Sequence, residues 1–367
     1  MIYLDSAATT SVLPNAARAA LDAMTNMFAN PSSLHSFGYE TEKIREKARD
    51  TVASAAGVKS DEIVFTSGGS GADNLAIFGF LKNKKSGRII TSAYEHPAVL
   101  ECFKALSAQF ETVYIKPENG IITPDLLKKH LTPDTLFVSI MHVNNETGAL
   151  NPVKELAKTT KDYSDAVFHT DAVQGFLKEK FDYSCCDMAS FSAHKTGAPK
   201  GLGALYVKKD VRLKPLIFGG GQEKGLFCGT ENIPAIAGWT EAVKTLYPTI
   251  SARNEYTNML KNKTEEKLVS LGAEIISPQI SSSHIITAAF PGYVSENIVH
   301  FLEKKEIYVS TGSACSSKKA SATFSALGLE KFSRSSLRIS FCDDTTPEDI
   351  DIFASALQEA LKTLKRK

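Results

Sequence analysis

The sequence predicts an α/β fold in which a large, mostly parallel seven-stranded sheet, covered by helices, is joined to a smaller α+β domain. Two observations favour this class. Short runs rich in β-branched and aromatic residues alternate with stretches of helical length through the first half of the chain, which is typical of parallel sheets covered on both faces. Past residue 250 the pattern changes, because a charged helix leads into a less regular mixture of strands and helices.

The elements of the large domain follow in order. Residues 14–29 and 39–56 are predicted helices, and the second has the spacing of an amphipathic surface helix that Gly57 can end. Seven strand-like runs then occur at 62–66, 88–92, 111–115, 135–140, 166–169, 187–191 and 203–207. Predicted helices separate most of these runs, at 71–83, 97–109, 124–131 and 153–163. In such a sheet, ligands bind at the carboxyl ends of the strands.

The last part of the chain predicts the smaller domain. Its predicted helices are 252–271, 295–305 and a terminal helix from Pro347, and its strands are 273–276, 284–290, 307–310 and 337–340. We therefore predict a large domain at 14–250 and a small domain formed by residues 1–13 and 251–367.

Composition excludes several classes of function. The 367 residues carry 42 Lys and Arg against 41 Asp and Glu, so no excess charge favours nucleic acid or a membrane surface. The N-terminus lacks the basic and apolar segments of a secretory signal, and no apolar run is long enough to span a bilayer. The six cysteines show no CxxC pair and no metal-ligand spacing. We expect a cytoplasmic protein without a metal site.

The stretch around Lys195 is the first candidate for chemistry. An apolar run, 188–191, predicts a buried strand that ends at Ser192, and Lys195 follows in a small, polar, glycine-rich loop. Burial destabilises the ammonium form of a lysine, so a lysine in such a site can act as an amine nucleophile. A plain turn with a lysine that reaches solvent explains the same residues, and this stretch alone does not decide.

A second candidate is the loop at 66–74, which lies between a strand and a helix. Gly69 and its small neighbours let backbone N–H groups approach an anion, Ser70 adds a hydroxyl, and the helix N-terminus favours negative charge. The alternative is an ordinary helix cap in a flexible turn. The spacing fits neither a Walker loop nor GxGxxG, so a single phosphate suits the loop better than a dinucleotide does.

His96 and Asp171 follow two other predicted strands. Taken alone, His96 suits a capping or packing role, and Asp171 suits the N-cap of a following helix. The coincidence favours function, because a lysine, an acid, an aromatic ring and a phosphate loop then lie at strand ends of one sheet. Pyridoxal phosphate requires this set of groups.

Further motifs extend this set along nearly the whole chain, at 3–10, 30–35, 66–74, 95–96, 141–148, 169–174, 192–195, 199–203, 219–223, 229–231, 310–315 and 337–340. With them the chain resembles a cysteine desulfurase of the NifS/IscS type, in the class V aminotransferase branch of the fold-type I pyridoxal phosphate enzymes.

The resemblance implies a role for each matching residue. Lys195 holds the cofactor as an aldimine and takes the substrate's Cα proton, Asp171 pairs with the pyridinium nitrogen, Gln174 reaches the phenolic oxygen, and His96 stacks on the ring and moves a proton. Asn145 and Arg338 hold the substrate carboxylate. The residues implied for the phosphate are Gly69, Ser70, Ser192 and His194, with Thr230 supplied by the second subunit of a homodimer.

The resemblance also makes Cys315 the nucleophile that attacks the sulfur of L-cysteine, which leaves a persulfide on Cys315 and releases alanine. The serine-rich segment 313–323 is the tether for this cysteine, and its type implies transfer of sulfur to an iron–sulfur scaffold or a tRNA-thiolation partner. Without the resemblance, Cys315 is an inert loop thiol. A selenocysteine lyase, a transaminase and a non-catalytic scaffold remain alternatives. The chain departs from the family pattern at Gly71, where a glutamate is usual, and at 341–346.

Overall fold

The computed structural model of the protein describes residues 1–312 and 321–366. Its helices are α1 (Pro14–Thr25), α2 (Ser36–Ala56), α3 (Gly69–Leu81), α4 (Pro97–Leu106), α5 (Pro124–Lys128), α6 (Val153–Tyr163), α7 (Ile233–Leu246), α8 (Ile250–Ser270), α9 (Ser295–Glu303), α10 (Ala322–Ala326) and α11 (Pro347–Thr363). Its strands are β1 (Ile2–Tyr3), β2 (Ile63–Thr66), β3 (Arg88–Ser92), β4 (Glu111–Ile115), β5 (Thr135–Ser139), β6 (Val167–Asp171), β7 (Met188–Ser192), β8 (Gly203–Val207), β9 (Glu274–Ile275), β10 (Ile285–Ala289), β11 (Ile307–Tyr308), β12 (Ser310–Thr311) and β13 (Ser336–Ser340).

The large sheet has seven strands in the order β2-β8-β7-β6-β5-β3-β4. Only β8 pairs antiparallel with its neighbours β2 and β7, and the remaining pairs are parallel. The predicted α/β class, with a mostly parallel seven-stranded sheet, is therefore confirmed. Because β2, β3, β5, β6 and β7 run in the same direction, the residues that follow them meet at one edge.

Helices cover both faces of this sheet. On one face, Phe191 of β7 packs in a cluster with Trp239 of α7 and Val52 of α2. On the other face, Met188 of the same strand packs with Phe103 of α4. Successive side chains of a strand point to opposite faces, so a strand buried on both sides is apolar almost throughout. This explains why the strands appear as short, nearly continuous apolar runs in the sequence.

Helix α7 was not among the elements predicted from the sequence. It packs against α1 and α2 and has buried residues on most of its turns, Trp239 among them. A helix buried on most sides has little polar face, so the periodicity that identifies surface helices is weak. Local signals were present, since Pro234 lies in the first turn and the Asn232 side chain accepts a hydrogen bond from the Ala235 N–H.

The last part of the chain forms a four-stranded antiparallel sheet, β12-β13-β10-β9, with α8, α9 and α11 packed on it. The first residues of the chain join it: β1 pairs parallel with β11, and Leu4 is buried in the same apolar cluster as Ile339. The division into residues 14–250 and residues 1–13 with 251–367 stays a prediction. No helix in residues 1–312 and 321–366 is long and apolar enough to cross a membrane.

A buried ion pair covers the free edge of β2. Both Nη atoms of Arg49 on α2 lie 2.8 Å from the carboxylate oxygens of Glu223. Glu223 also accepts a hydrogen bond from the Phe65 N–H, and Arg49 donates to the Ile63 carbonyl, each at 2.8 Å. The pair therefore satisfies backbone groups that an edge strand would otherwise leave open, and it fastens the glycine-rich segment 219–225 to the sheet.

We expect Glu223→Ala to lower the free energy of unfolding by about 3–5 kcal/mol, because Arg49 would stay buried without its partner. The control is Glu46→Ala, which removes a half-exposed carboxylate that also contacts Arg49 and should cost less than about 1 kcal/mol. Denaturant unfolding of the two variants measures the difference. Equal unfolding midpoints would show that the buried pair does not stabilise the fold.

Candidate active site

A cavity of about 350 Å³ lies at the carboxyl edge of the large sheet, where the small sheet approaches it. It gathers ten of the twelve predicted site residues: Gly69, Ser70, His96, Asn145, Asp171, Gln174, Ser192, His194, Lys195 and Arg338. Most of them follow the parallel strands of the large sheet, whereas Arg338 comes from β13. The topology of the large sheet and the approach of β13 thus bring together residues that are far apart in the sequence.

Lys195 ends a single helical turn, Ala193–Lys195, that follows β7 directly. Its Nζ donates hydrogen bonds to the carbonyl oxygens of Ala7 and Ala8, both at 2.7 Å. Burial and the positive charge of Arg338 lower the pKa of Lys195 to about 8, although Asp5 and Asp171 oppose this shift. At pH 7 roughly a tenth of the Lys195 side chains are therefore in the free-amine form, which is the nucleophilic form, compared with less than about one in a thousand for an exposed lysine.

Asp171 ends β6, and its Oδ1 accepts a hydrogen bond from the Val173 N–H at 2.9 Å. No α-helix begins directly after it, so it is not a helix N-cap. Burial raises the pKa of Asp171, and the neighbouring His96, the Val173 N–H and the positive charge of Lys195 oppose that shift. A buried carboxylate of this kind is stabilised by a cation placed beside it.

Two more carboxyl groups are buried near Asp171. Burial raises the pKa of Glu95 to about 8 and holds the pKa of Asp73 well above its ordinary value. Glu95 accepts hydrogen bonds from the Ser92 hydroxyl and from the Met141 N–H. Glu95 is therefore mostly protonated at neutral pH, and burial also favours the neutral form of Asp73. Of the three carboxyl groups, Asp171 is the one whose charged form the nearby Lys195 favours.

His96 caps a helix and also reaches the cavity, and its role at the cofactor ring stays a prediction. It is the N-cap of α4, where its Nδ1 accepts a hydrogen bond from the Ala98 N–H at 3.1 Å. It also lines the cavity. Burial lowers the pKa of His96, so the ring is neutral and its proton lies on Nε2, because Nδ1 is the acceptor. The cap fixes the ring at the cavity wall.

The start of α3 and the end of β7 form a candidate anion site. Gly68 has φ of 147°, and a Cβ on Gly69 would lie 2.7 Å from Val173 Cγ2, so both positions favour glycine. Ser70 lies in the first turn of α3. The buried Ser192 Oγ finds no hydrogen-bond partner among residues 1–312 and 321–366. Free backbone N–H groups and an unpaired hydroxyl are the donors that a phosphate group needs.

His194 lies at the same wall of the cavity. Its Nδ1 is 3.1 Å from the Thr9 hydroxyl. Burial, together with the charge of Lys195, lowers the pKa of His194 to about 4. The ring is therefore neutral near pH 7 and can offer a hydrogen bond to an anion, but no positive charge.

Arg338 and Asn145 lie at the side of the cavity formed by the small sheet. The register of the β10–β13 pair places Arg338 opposite Thr287. Its Nη2 donates to Asp5 Oδ1 at 2.7 Å and its Nη1 to the Asn145 carbonyl at 2.8 Å. The buried Nε has no partner in the part of the chain that the structure describes. Arg338 is thus held in place, with its Nε–H and the second N–H of Nη2 still available to a carboxylate.

The structure adds residues that the sequence did not assign. Asp5 holds Arg338, and the carbonyls of Ala7 and Ala8 hold Lys195. Gln174 is buried between Ala7 and Lys178, since its Nε2 donates to the Ala7 carbonyl and its Oε1 accepts from Lys178 Nζ, each at 2.8 Å. The sequence motif at 3–10 indicated that the first segment is part of the family pattern, but it did not assign a role to any single residue of that segment. No spacing pattern identified Lys178, because residues 172–179 form turns.

Two predicted residues are not in this cavity. Thr230 lies in a separate pocket with Ser67 and Glu231, and its assignment to the site of a second subunit stays a prediction. Cys315 lies outside the described residues, as does most of its predicted tether. Within the described residues, no cluster of His, Cys, Asp and Glu could hold a metal ion.

Comparisons with known proteins agree with this arrangement. The sequence model of the aminotransferase class-V family matches residues 2–353. The chain is 38% identical to the cysteine desulfurase IscS of Dictyoglomus turgidum, over 99% of this chain and 95% of that protein. It is also 38% identical to the putative cysteine desulfurase IscS 1 of Bacillus subtilis, over 99% of each chain.

Solved structures of NifS-like proteins are also similar to this chain. A NifS-like protein with 34% sequence identity superposes with a TM-score of 0.94, over 99% of this chain and 100% of that one. A NifS-like protein from Rickettsia africae, at 31% identity, has a TM-score of 0.89 over the same shares of the two chains.

We expect the Lys195 side chain of the cofactor-free protein to reach half of its maximal rate of reductive methylation near pH 8, because only the free amine reacts. Mass spectrometry of the peptide that contains Lys195 follows the reaction. Arg338→Leu should move this midpoint to higher pH, since the Arg338 charge disfavours the ammonium form. A midpoint close to that of an exposed lysine, about 10.4, would contradict the electrostatic description of the site.

Proposed function

The chain belongs to the aminotransferase class-V family, and from this premise we propose that it is a pyridoxal phosphate-dependent L-cysteine desulfurase. It takes the sulfur atom from L-cysteine as a persulfide and releases L-alanine. The observation that carries the proposal is the partly buried Lys195, whose lowered pKa makes it an amine nucleophile in one cavity with Asp171 and the candidate anion site of α3. The names of the relatives supply the substrate.

The residues present fit the proposed cofactor. The glycine loop before α3 and the unpaired Ser192 hydroxyl suit a phosphate group, and Asp171 suits a protonated ring nitrogen. Lys195 is the amine that would bind the aldehyde carbon, and His96 would stack on the ring. Bound in this way, pyridoxal phosphate supplies an electron sink for the electron pair released at the substrate's α-carbon.

The protein's own groups handle the protons. The Lys195 amine, set free when the substrate amine takes its place, accepts the proton of the substrate's α-carbon. Its pKa near 8 suits this work, because the amine is available at neutral pH and its conjugate acid can return the proton. Asp171 would keep a protonated ring nitrogen of the cofactor positively charged, and burial favours the neutral forms of Asp73 and Glu95.

Arg338 and Asn145 orient the substrate. The free Nε of Arg338 and the second N–H of its Nη2 group can hold a carboxylate by two parallel hydrogen bonds. Asp5 and the Asn145 carbonyl keep the guanidinium in place. The substrate carboxylate therefore meets a positioned donor.

Cys315 is the proposed acceptor of the sulfur. Its thiolate attacks the substrate sulfur, the substrate Cβ–S bond breaks as the S–S bond forms, and the carbon fragment gains a proton to become alanine. Both ends of its segment lie beside the cavity. Ser310 of β12 pairs with Arg338, and the Ser321 hydroxyl donates to Glu146, which follows Asn145. Three residues from Gly312 to Cys315 span at most about 11 Å, which suits an approach to the substrate sulfur.

We also propose a subunit arrangement, a class of sulfur acceptor and a cellular compartment for the protein. The protein acts as a homodimer in which Thr230 contributes to the phosphate site of the other subunit, since Thr230 lies outside its own chain's cavity. The persulfide passes to an acceptor protein, an iron–sulfur scaffold or a tRNA-thiolation enzyme. The protein works in the cytoplasm, because a persulfide-forming thiol must stay reduced between turnovers.

We expect the purified protein to become yellow with pyridoxal phosphate and, with L-cysteine and a reducing thiol, to release alanine and sulfide in equal amounts. Cys315→Ala should lower alanine release at least about a hundredfold because it removes the nucleophile. Cys342→Ala, which removes a partly buried thiol bonded to the Tyr3 carbonyl, is the matched control and should retain activity. Full activity of Cys315→Ala refutes the mechanism, and pyridoxamine formation without sulfide indicates a transaminase.

We expect Arg338→Lys to raise KM for L-cysteine by about 10–100-fold, with a smaller change in kcat, because a lysine keeps the charge but cannot hold a carboxylate bidentately. Steady-state kinetics separate the two constants. Arg253→Lys, which changes an arginine paired with Asp343 outside the cavity, controls for the substitution itself. An unchanged KM in Arg338→Lys would remove Arg338 from substrate binding.

A further inference from the structure

Lys178 is a buried lysine that the proposed reaction does not use. Only 8% of the residue is exposed, and its Nζ donates a 2.8 Å hydrogen bond to Oε1 of Gln174. That partner is an amide and not a carboxylate. Burying a lysine without a charged partner costs free energy. A role beside the cavity would explain why a lysine occupies this position.

Gln174 connects Lys178 to the cavity. Its Nε2 donates at 2.8 Å to the Ala7 carbonyl, which also accepts from Lys195 Nζ. An amide NH₂ group has two N–H donors, so one remains for a ligand in the cavity that Gln174 lines. The Gln174 side chain is 3% exposed, and its orientation is therefore set by these protein contacts rather than by solvent.

The two contacts specify one orientation of the amide. If the amide were flipped, its NH₂ group would face the Lys178 donor and its oxygen would face the Ala7 carbonyl, so both hydrogen bonds would be replaced by repulsion. A charged lysine side chain can only donate, whereas a neutral amine can also accept through its lone pair. The ammonium form of Lys178 and the Ala7 carbonyl therefore both favour this orientation of the amide.

We propose that Lys178 is a positioning residue that directs the amide N–H of Gln174, rather than its oxygen, towards the phenolic oxygen of the bound cofactor. The inference rests on the proposed function. An N–H donor stabilises a negatively charged phenolic oxygen, whereas an amide oxygen in its place repels it. Lys178 thus keeps low the pKa that governs the visible absorbance of the bound cofactor, although it does not touch the cofactor itself.

The test is a pH titration of that absorbance in the loaded protein. Lys178→Met removes the donor and keeps an unbranched side chain, and it should raise the pKa of the absorbance change by about one unit, the size expected when one hydrogen bond to a charged group is lost. Lys178→Arg keeps the donors and should stay close to the wild type. Thermal unfolding confirms that each variant is folded.

A second comparison separates positioning from a direct effect of charge. Lys178 lies in a field that includes Lys195, Arg253, Asp343 and Cys342, and loss of its own charge could also raise the cofactor's pKa. In a Gln174→Met background, the Lys178→Met substitution should cause little further shift, because the group that it positions is absent. A full additional shift in that background overturns the proposal in favour of a direct charge effect.

The remaining outcomes are equally decisive. If the wild type binds pyridoxal phosphate and Lys178→Met leaves the pKa unchanged, Lys178 does not position Gln174 and the proposal fails, while the proposed function stands. If the wild type shows no visible absorbance with pyridoxal phosphate, the proposed function fails first. A Lys178→Met variant that does not fold is replaced by Lys178→Gln, which retains an N–H donor without the charge and should lie between Lys178→Arg and Gln174→Met.

Discussion

The site depends on how Lys195 is held without being neutralised. Its Nζ is bonded by two backbone carbonyls, those of Ala7 and Ala8. Carbonyl dipoles satisfy the hydrogen bonds of a buried amine but carry no net charge, so burial lowers its pKa to about 8. A carboxylate at the same place would have stabilised the ammonium form and raised the pKa. The first segment of the chain therefore supplies the one kind of partner that keeps Lys195 both ordered and reactive.

The charges of the cavity are arranged around that lysine. On one side lies Asp171, and burial favours the neutral forms of the two nearby carboxyl groups, Asp73 and Glu95. On the other side, Arg338 is fixed by Asp5 and keeps its Nε free. A ligand with a cationic ring would therefore bind beside Asp171, and the carboxylate of a substrate would bind beside Arg338. The distance between these two side chains would fix the orientation of the substrate relative to the ring.

The sequence predicted the part of this arrangement that topology dictates. Lys195, Asp171 and His96 each come directly after an apolar strand, and parallel strands necessarily bring such residues to one edge. The roles of Asp5 and Lys178 were not predictable in this way, because they depend on an N-terminal crossing and on turns, neither of which has a periodic pattern. Helix α7 was missed for a related reason, since a helix buried on most sides loses the polar face that identifies it.

The pairing of β1 with β11 has a consequence for folding. Ile2 pairs with Ile307, and Asp5 bridges to Ser340, so the first segment is held by residues very distant in the sequence. Closing so long a loop is entropically costly and kinetically slow. The two carbonyls that hold the Lys195 amine belong to this segment, so we expect Lys195 to acquire its lowered pKa late in folding, after these distant pairings form.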